Sequence, residues 1–136
     1  MNRYRIELSC TAPEWWRYNI EMTAAGYDDT GAECGYYSVE DRIAEPGSAP
    51  AAAPEGYPAD RCTALECGPC ARVLLYLYVV PHTLPETDDI EQTPPLPGRL
   101  TIWRDGRKLR TEQLAINPWG GMSRCLTIGE EKPQGI

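Results

Sequence analysis

Six cysteines are spread along 136 residues, and three of them, Cys62, Cys67 and Cys70, fall within nine positions. A Cys-x2-Cys pair on one tight turn can do two kinds of chemistry. Its thiols can exchange with a disulfide if one of them is held as thiolate, or two thiolates can supply half of a tetrahedral zinc site. The zinc reading, a zinc-stabilised structural domain, takes Cys62, Cys67 and Cys70 with Cys34 as fourth ligand, Cys125 or His82 being the substitutes; the sequence has no second Cys-x2-Cys pair to complete it. If the chain is exported, disulfides become the default state of the six. Otherwise the thiols are buried or unremarkable side chains.

Cys67-Gly68-Pro69-Cys70 resembles, letter for letter, the redox motif of the thioredoxin family. The resemblance implies a thiol-disulfide oxidoreductase. Cys67 would be the nucleophile, its pKa depressed at a helix N-terminus, and Cys70 would resolve the mixed disulfide one turn on. Leu100 to Arg110, LTIWRDGRKLR, with Pro97 before it, is similar to that family's later strand-turn-strand. Around the motif the chain departs from the family, which sets a strand before it and a long amphipathic helix after it. Here Glu55 to Leu65 reads as loop and Val73 to Val80 as strand.

Other candidate chemistry is sparser. Asp28-Asp29 and the acidic stretch Glu86 to Glu91 would bind Ca²⁺ if their loops converged at one end of the fold, although neither has the ligand spacing of a calcium loop. His82 is the single histidine and has no Ser or Cys partner at a recognisable spacing, so no catalytic constellation is legible. Aromatic bulk comes from eight Tyr and four Trp with no Phe. Trp16 falls in the buried phase of its strand. Trp15 and Trp119 fall in loops, and Trp103 is out of phase with Leu100 and Ile102, so these three are the expected ligand-binding aromatics, stacking on sugar rings or anchoring a protein partner.

The elements that position these residues are short and β-like. Tyr4, Ile6, Leu8 and Cys10 alternate with charged and polar residues, and Trp16, Tyr18, Ile20 and Met22 repeat the pattern, so the two segments are candidates for an antiparallel pair. A third strand covers Tyr36 to Ile43. The proline-rich stretch 45–60 reads as a surface loop, and His82 to Gly98 as another. Between them, Val73 to Val80 is apolar on both parities, which predicts a central strand covered on both faces, with Leu75 and Leu77 in the core. Asp105-Gly106 between Leu100–Arg104 and Lys108–Ile116 is a type I′ hairpin signal, and Ser123 to Ile128 forms the last strand.

Thirteen prolines and twelve glycines punctuate the whole chain, which favours short strands joined by turns over long helices. The fold class that follows is all-β: an antiparallel β-sandwich of roughly six or seven short strands with long Pro-rich loops, a small barrel being the alternative. One β-rich domain is expected over 1–129, with a loose C-terminal tail at 130–136. A net charge of −7 argues against a nucleic-acid partner, and the five cations from Arg99 to Arg110 read as a solvated hairpin tip. The longest apolar run, Val73 to Val80, falls well short of the roughly 20 residues of a membrane span. Taken as a native start, the N-terminus lacks the apolar stretch of a signal peptide, which implies a cytoplasmic chain; a trimmed start leaves export open. The expected function is a non-enzymatic module without a required cofactor, binding a protein or carbohydrate through loops and exposed aromatics.

Overall fold

The computed structural model describes residues 1–58, 60–87 and 89–129. The tail expected at 130–136 lies outside the described residues. Eight strands are present among them: β1 (Asn2–Cys10), β2 (Tyr18–Tyr27), β3 (Glu33–Asp41), β4 (Arg61–Cys70), β5 (Arg72–Pro81), β6 (Leu96–Arg104), β7 (Arg107–Ile116) and β8 (Met122–Ile128). They form two four-stranded sheets of order β4-β1-β6-β7 and β3-β2-β5-β8, with every neighbouring pair antiparallel. The architecture is a β-sandwich and not a closed barrel.

Alternation builds the core. Tyr4, Ile6, Leu8 and Cys10 of β1 face Tyr18, Ile20, Met22 and Ala24 of β2 and Val73, Leu75, Leu77 and Val79 of β5 across the sheets, all of them buried. β1 and β2 are nevertheless not partners. Residues 11–17 carry the chain from one sheet to the other through a 3-10 turn, Pro13–Arg17, so the expected pair is split between the two layers. The Asp105-Gly106 turn does form as its sequence predicts, with φ of +51° and +79°, and joins β6 to β7 at the Arg104–Arg107 pair.

The strand missing from the sequence reading is β4, which absorbs the whole cysteine motif. Arg61 and Thr63 point inward beside Leu65 and Cys67, and those two polar residues on the buried face disguise the alternation. Gly68 and Pro69, read as turn residues, form a bulge where β4 spends one residue more than β1 between the Asn2–Cys70 and Tyr4–Cys67 pairs. Gly68 sits at φ +119°, and an added Cβ would lie 2.6 Å from the Asn2 carbonyl oxygen, so this position requires glycine. Pro69 is tolerated because β4 is an edge strand.

β5 corrects a second expectation. It is central, between β2 and β8, but only one of its faces is covered. Leu75 and Leu77 are fully buried, whereas Leu74, Tyr76, Tyr78 and Val80 point away from the core and are half-buried or exposed.

Register also separates the two ends of the sandwich. One carries tight connections: the β2–β3 turn, the single residue Ala71 between β4 and β5, and Asp105-Gly106. The longer segments 11–17, 42–60 and 82–95 emerge at the other, together with the five-residue connection 117–121. Among the described residues no helix is long and apolar enough to cross a membrane.

Candidate functional site

Strand geometry disperses the cysteine motif. Cys62 and Cys67 lie on opposite faces of β4, and five residues of extended chain put them about 17 Å apart. Cys34 is exposed on β3, its Sγ 4.0 Å from the Pro69 carbonyl oxygen, while Cys70 packs inward over Gly26. The zinc set Cys34, Cys62, Cys67 and Cys70 therefore does not assemble. Among the described residues no group of three or more His, Cys, Asp or Glu could hold a metal ion. The helix that the redox resemblance implies after Cys70 is replaced by β5, and the thiol behaves in the opposite sense to a nucleophile. Burial, helped by the neighbouring Cys70, pushes the Cys67 thiol up to about 12. Burial and the nearness of Cys34 push Cys70 up as well.

These environments rank the thiols for alkylation at neutral pH, where the thiolate is the reacting form. Cys34 and Cys125, exposed, should label first. Cys62 is also exposed but should lag, because partial burial and Glu7 push its thiol up to about 11. Cys10, Cys67 and Cys70 should label only when the protein opens. Site-resolved mass spectrometry of a timed iodoacetamide reaction checks the order, and early labelling of Cys67 would restore a reactive-thiol reading.

The acidic loops do not converge. Asp28 lies at the tight-turn end and Glu86 to Glu91, of which Asp88 is outside the described residues, at the long-loop end. The Asp28 carboxylate accepts the Thr30 hydroxyl (2.6 Å) and the backbone N–H groups of Thr30 (2.9 Å) and Ala32 (3.0 Å), bonds that close the turn and hold its pKa below the usual value. His82 is likewise structural. Its Nε2 donates to the Trp16 carbonyl (2.7 Å) and Nδ1 accepts the Thr83 hydroxyl (2.8 Å), an arrangement of the neutral ring that burial favours by lowering its pKa.

The tryptophans expected to form a surface patch are separated too. Trp15 is fully buried in the 3-10 turn, its indole N–H donating to the Pro97 carbonyl at 2.7 Å and its ring packed edge-on against Tyr18. A loop position in the sequence did not mean a surface position in the fold. Trp103 and Trp119 are half-buried but stand at opposite ends of the β6–β7 ladder, on the order of 20 Å apart.

The exposed aromatics are tyrosines, and they share one surface: the outer face of the β3-β2-β5-β8 sheet. Register places them in rows. Tyr36, Ala25, Leu74 and Thr127 lie side by side across the four strands; Ser38, Thr23, Tyr76 and Cys125 form the next row; Glu40, Glu21, Tyr78 and Ser123 the one after, with Asn19 and Val80 beyond. Rows repeat about every 7 Å along the strands, and neighbours within a row are about 4.8 Å apart. Tyr36 is 67% exposed, Val80 41% and Tyr76 39%, while Leu74 and Tyr78 are half-buried. At the near edge the Arg72 guanidinium lies over the Tyr27 ring at 4.8 Å. The signal was present in the sequence: Leu74, Tyr76, Tyr78 and Val80 share one parity, and two of the four carry a hydroxyl that a dry interior would have to satisfy.

A concave feature sits among the long loops. It is a groove of about 610 Å³ walled by Pro13, Pro85, Pro95 and Pro118, with Arg17 at its side. Arg17 is held there by Glu14 at 2.6 Å and the Leu84 carbonyl at 2.8 Å, and it stacks on Trp16.

No family model matches the sequence. No curated protein matches it either. Among solved structures the chain is similar to a domain of unknown function, DUF4425, from Bacteroides vulgatus, at 10% identity and a TM-score of 0.46, over 93% of this chain and 94% of that one.

Proposed function

We propose that this protein is a non-enzymatic binding module that engages a macromolecular ligand on the outer face of the β3-β2-β5-β8 sheet. The observation that supports the reading is the tyrosine-rich surface itself. Tyr36, Tyr76, Tyr78, Leu74 and Val80 lie on one outward face of the sheet. Contiguous exposed apolar surface of this kind is rare without a partner, and tyrosine supplies large contact area at low conformational-entropy cost together with a polar tip. The thiols, by contrast, are dispersed or buried, so a redox role has less to support it.

Combined Tyr36→Ala and Tyr76→Ala substitution should weaken binding at least about tenfold, since truncated aromatic anchors are the commonest hot spots. The same change should leave the protein folded, at a cost of about 2 kcal/mol or less, because both rings face outward. A panel of immobilised polysaccharides and short peptides, screened with wild type and the double variant, makes the measurement. Ligand binding that survives the double substitution and is lost in Trp119→Ala would place the site at the long loops instead.

A further inference from the structure

We infer that the ligand of this face is an extended, basic segment of a partner protein, its cations held over Tyr76 and Tyr78 and between Glu21 and Glu40; the inference rests on the binding role proposed for the face. Charge complementarity carries it. Glu21 and Glu40 are direct register partners on β2 and β3, and both are exposed. Like charges directly opposite one another destabilise a sheet. Arg42 approaches Glu40 to 3.8 Å from beyond the end of β3. Among the described residues, the three rows from Glu40–Ser123 to Tyr36–Thr127 contain no lysine or arginine, and Arg42 at the margin is the cation beside Glu40. A cation arriving above Glu21 relieves the repulsion and at the same time meets the ring of Tyr78, the next residue across the ladder.

The geometry narrows the occupant further. Alternate side chains of an extended peptide recur about every 7 Å, the same spacing as the rows, so basic residues at every second position can meet successive rows. A glycan would stack on the tyrosines but gain little from a repelling carboxylate pair. A second copy of this chain would bring further carboxylates to the face. An arginine-bearing segment uses the rings and the charges together.

The probe is a fluorescently labelled peptide of alternating arginine and threonine, titrated by anisotropy at low and physiological salt. Because the chain carries a net charge of −7, two charge-matched variants are compared. Glu21→Gln/Glu40→Gln should weaken binding about tenfold, and Glu55→Gln/Glu91→Gln, in the exposed loops, less than about twofold. Bound peptide should also slow alkylation of Cys125, which lies beside Tyr76 on the same face. Equal losses in both variants, or no protection of Cys125, overturn the inference. If instead a neutral oligosaccharide, or self-association seen by sedimentation, protects Cys125 and depends on Tyr36 and Tyr76 but not on Glu21 and Glu40, the face binds and the basic partner is wrong. If none of these ligands protects Cys125, the role of the face falls with it.

Discussion

Leu77→Asp should abolish the folded state, while Tyr76→Asp, one residue earlier on the same strand, should leave it intact. Leu77 has no solvent exposure and pairs with Met22 on one side and Arg124 on the other, in the strand at the middle of its sheet. The substitution removes a core leucine, which alone costs about 2–5 kcal/mol. It also strands a carboxylate in an apolar interior, adding several kcal/mol unless it takes up a proton. Against a total stability of about 5–15 kcal/mol for a domain of this kind, the sum is decisive. Tyr76 faces outward beside Thr23 and Cys125, and aspartate there costs about 1 kcal/mol, the span of strand preference. Circular dichroism melts of the two variants read the difference. A cooperative transition in Leu77→Asp would mean that the two faces of β5 have been exchanged.

That contrast shows how much the sequence could tell. The inward parity of β1 and β2 was legible because their apolar residues alternate regularly with polar ones, and Leu75 and Leu77 of β5 were legible as core because they sit inside a long apolar run. The Asp105-Gly106 turn was legible because few residues tolerate positive φ twice in succession. Strand β4 was not, because the interior it enters is partly polar: Arg61 and Thr63 point inward to serve Asp41, a contact between residues 20 and 22 positions apart that no local pattern announces. The outer face of β5 was misread for a related reason. Apolar residues on both parities mean either two covered faces or one covered face and one adhesive one, and only the placement of the neighbouring elements distinguishes them. Trp15 was misplaced because the short 3-10 turn that buries it is set by the crossing between sheets and not by its own periodicity.

Arg61→Met should destabilise the protein by about 3–5 kcal/mol, the largest effect expected of any charged residue here. Arg61 is almost fully buried where the long loops begin. Its Nε donates to the Asp41 carboxylate (3.0 Å), one terminal nitrogen to the carbonyls of Trp15 (2.8 Å) and Tyr18 (2.7 Å), and the other to the Asp41 carbonyl (2.9 Å). One planar group thus ties the start of β4 to the end of β3 and to the crossing turn, and lysine cannot reproduce the fork. Burial pushes the Asp41 carboxyl up, but the hydrogen bonds from Arg61 and Thr63 and the charge of Arg61 outweigh it, so its pKa lies below the usual carboxylate value. A pKa depressed by folding contributes stability that is fully present above the unfolded value near 3.9 and is lost as pH falls through the folded value. Wild type should therefore lose this contribution on acidification below about pH 4, and Arg61→Met should lack that share of the loss. Removing the cation leaves the half-buried Asp41 carboxylate with the Thr63 hydroxyl but without its ion-pair partner, so Arg61→Met/Asp41→Asn should recover part of the stability that Arg61→Met loses. Urea melts of the three proteins at pH 7 and near pH 3 make the test. A double variant no more stable than Arg61→Met would show that the buried backbone carbonyls, and not the ion pair, are what Arg61 is there to satisfy.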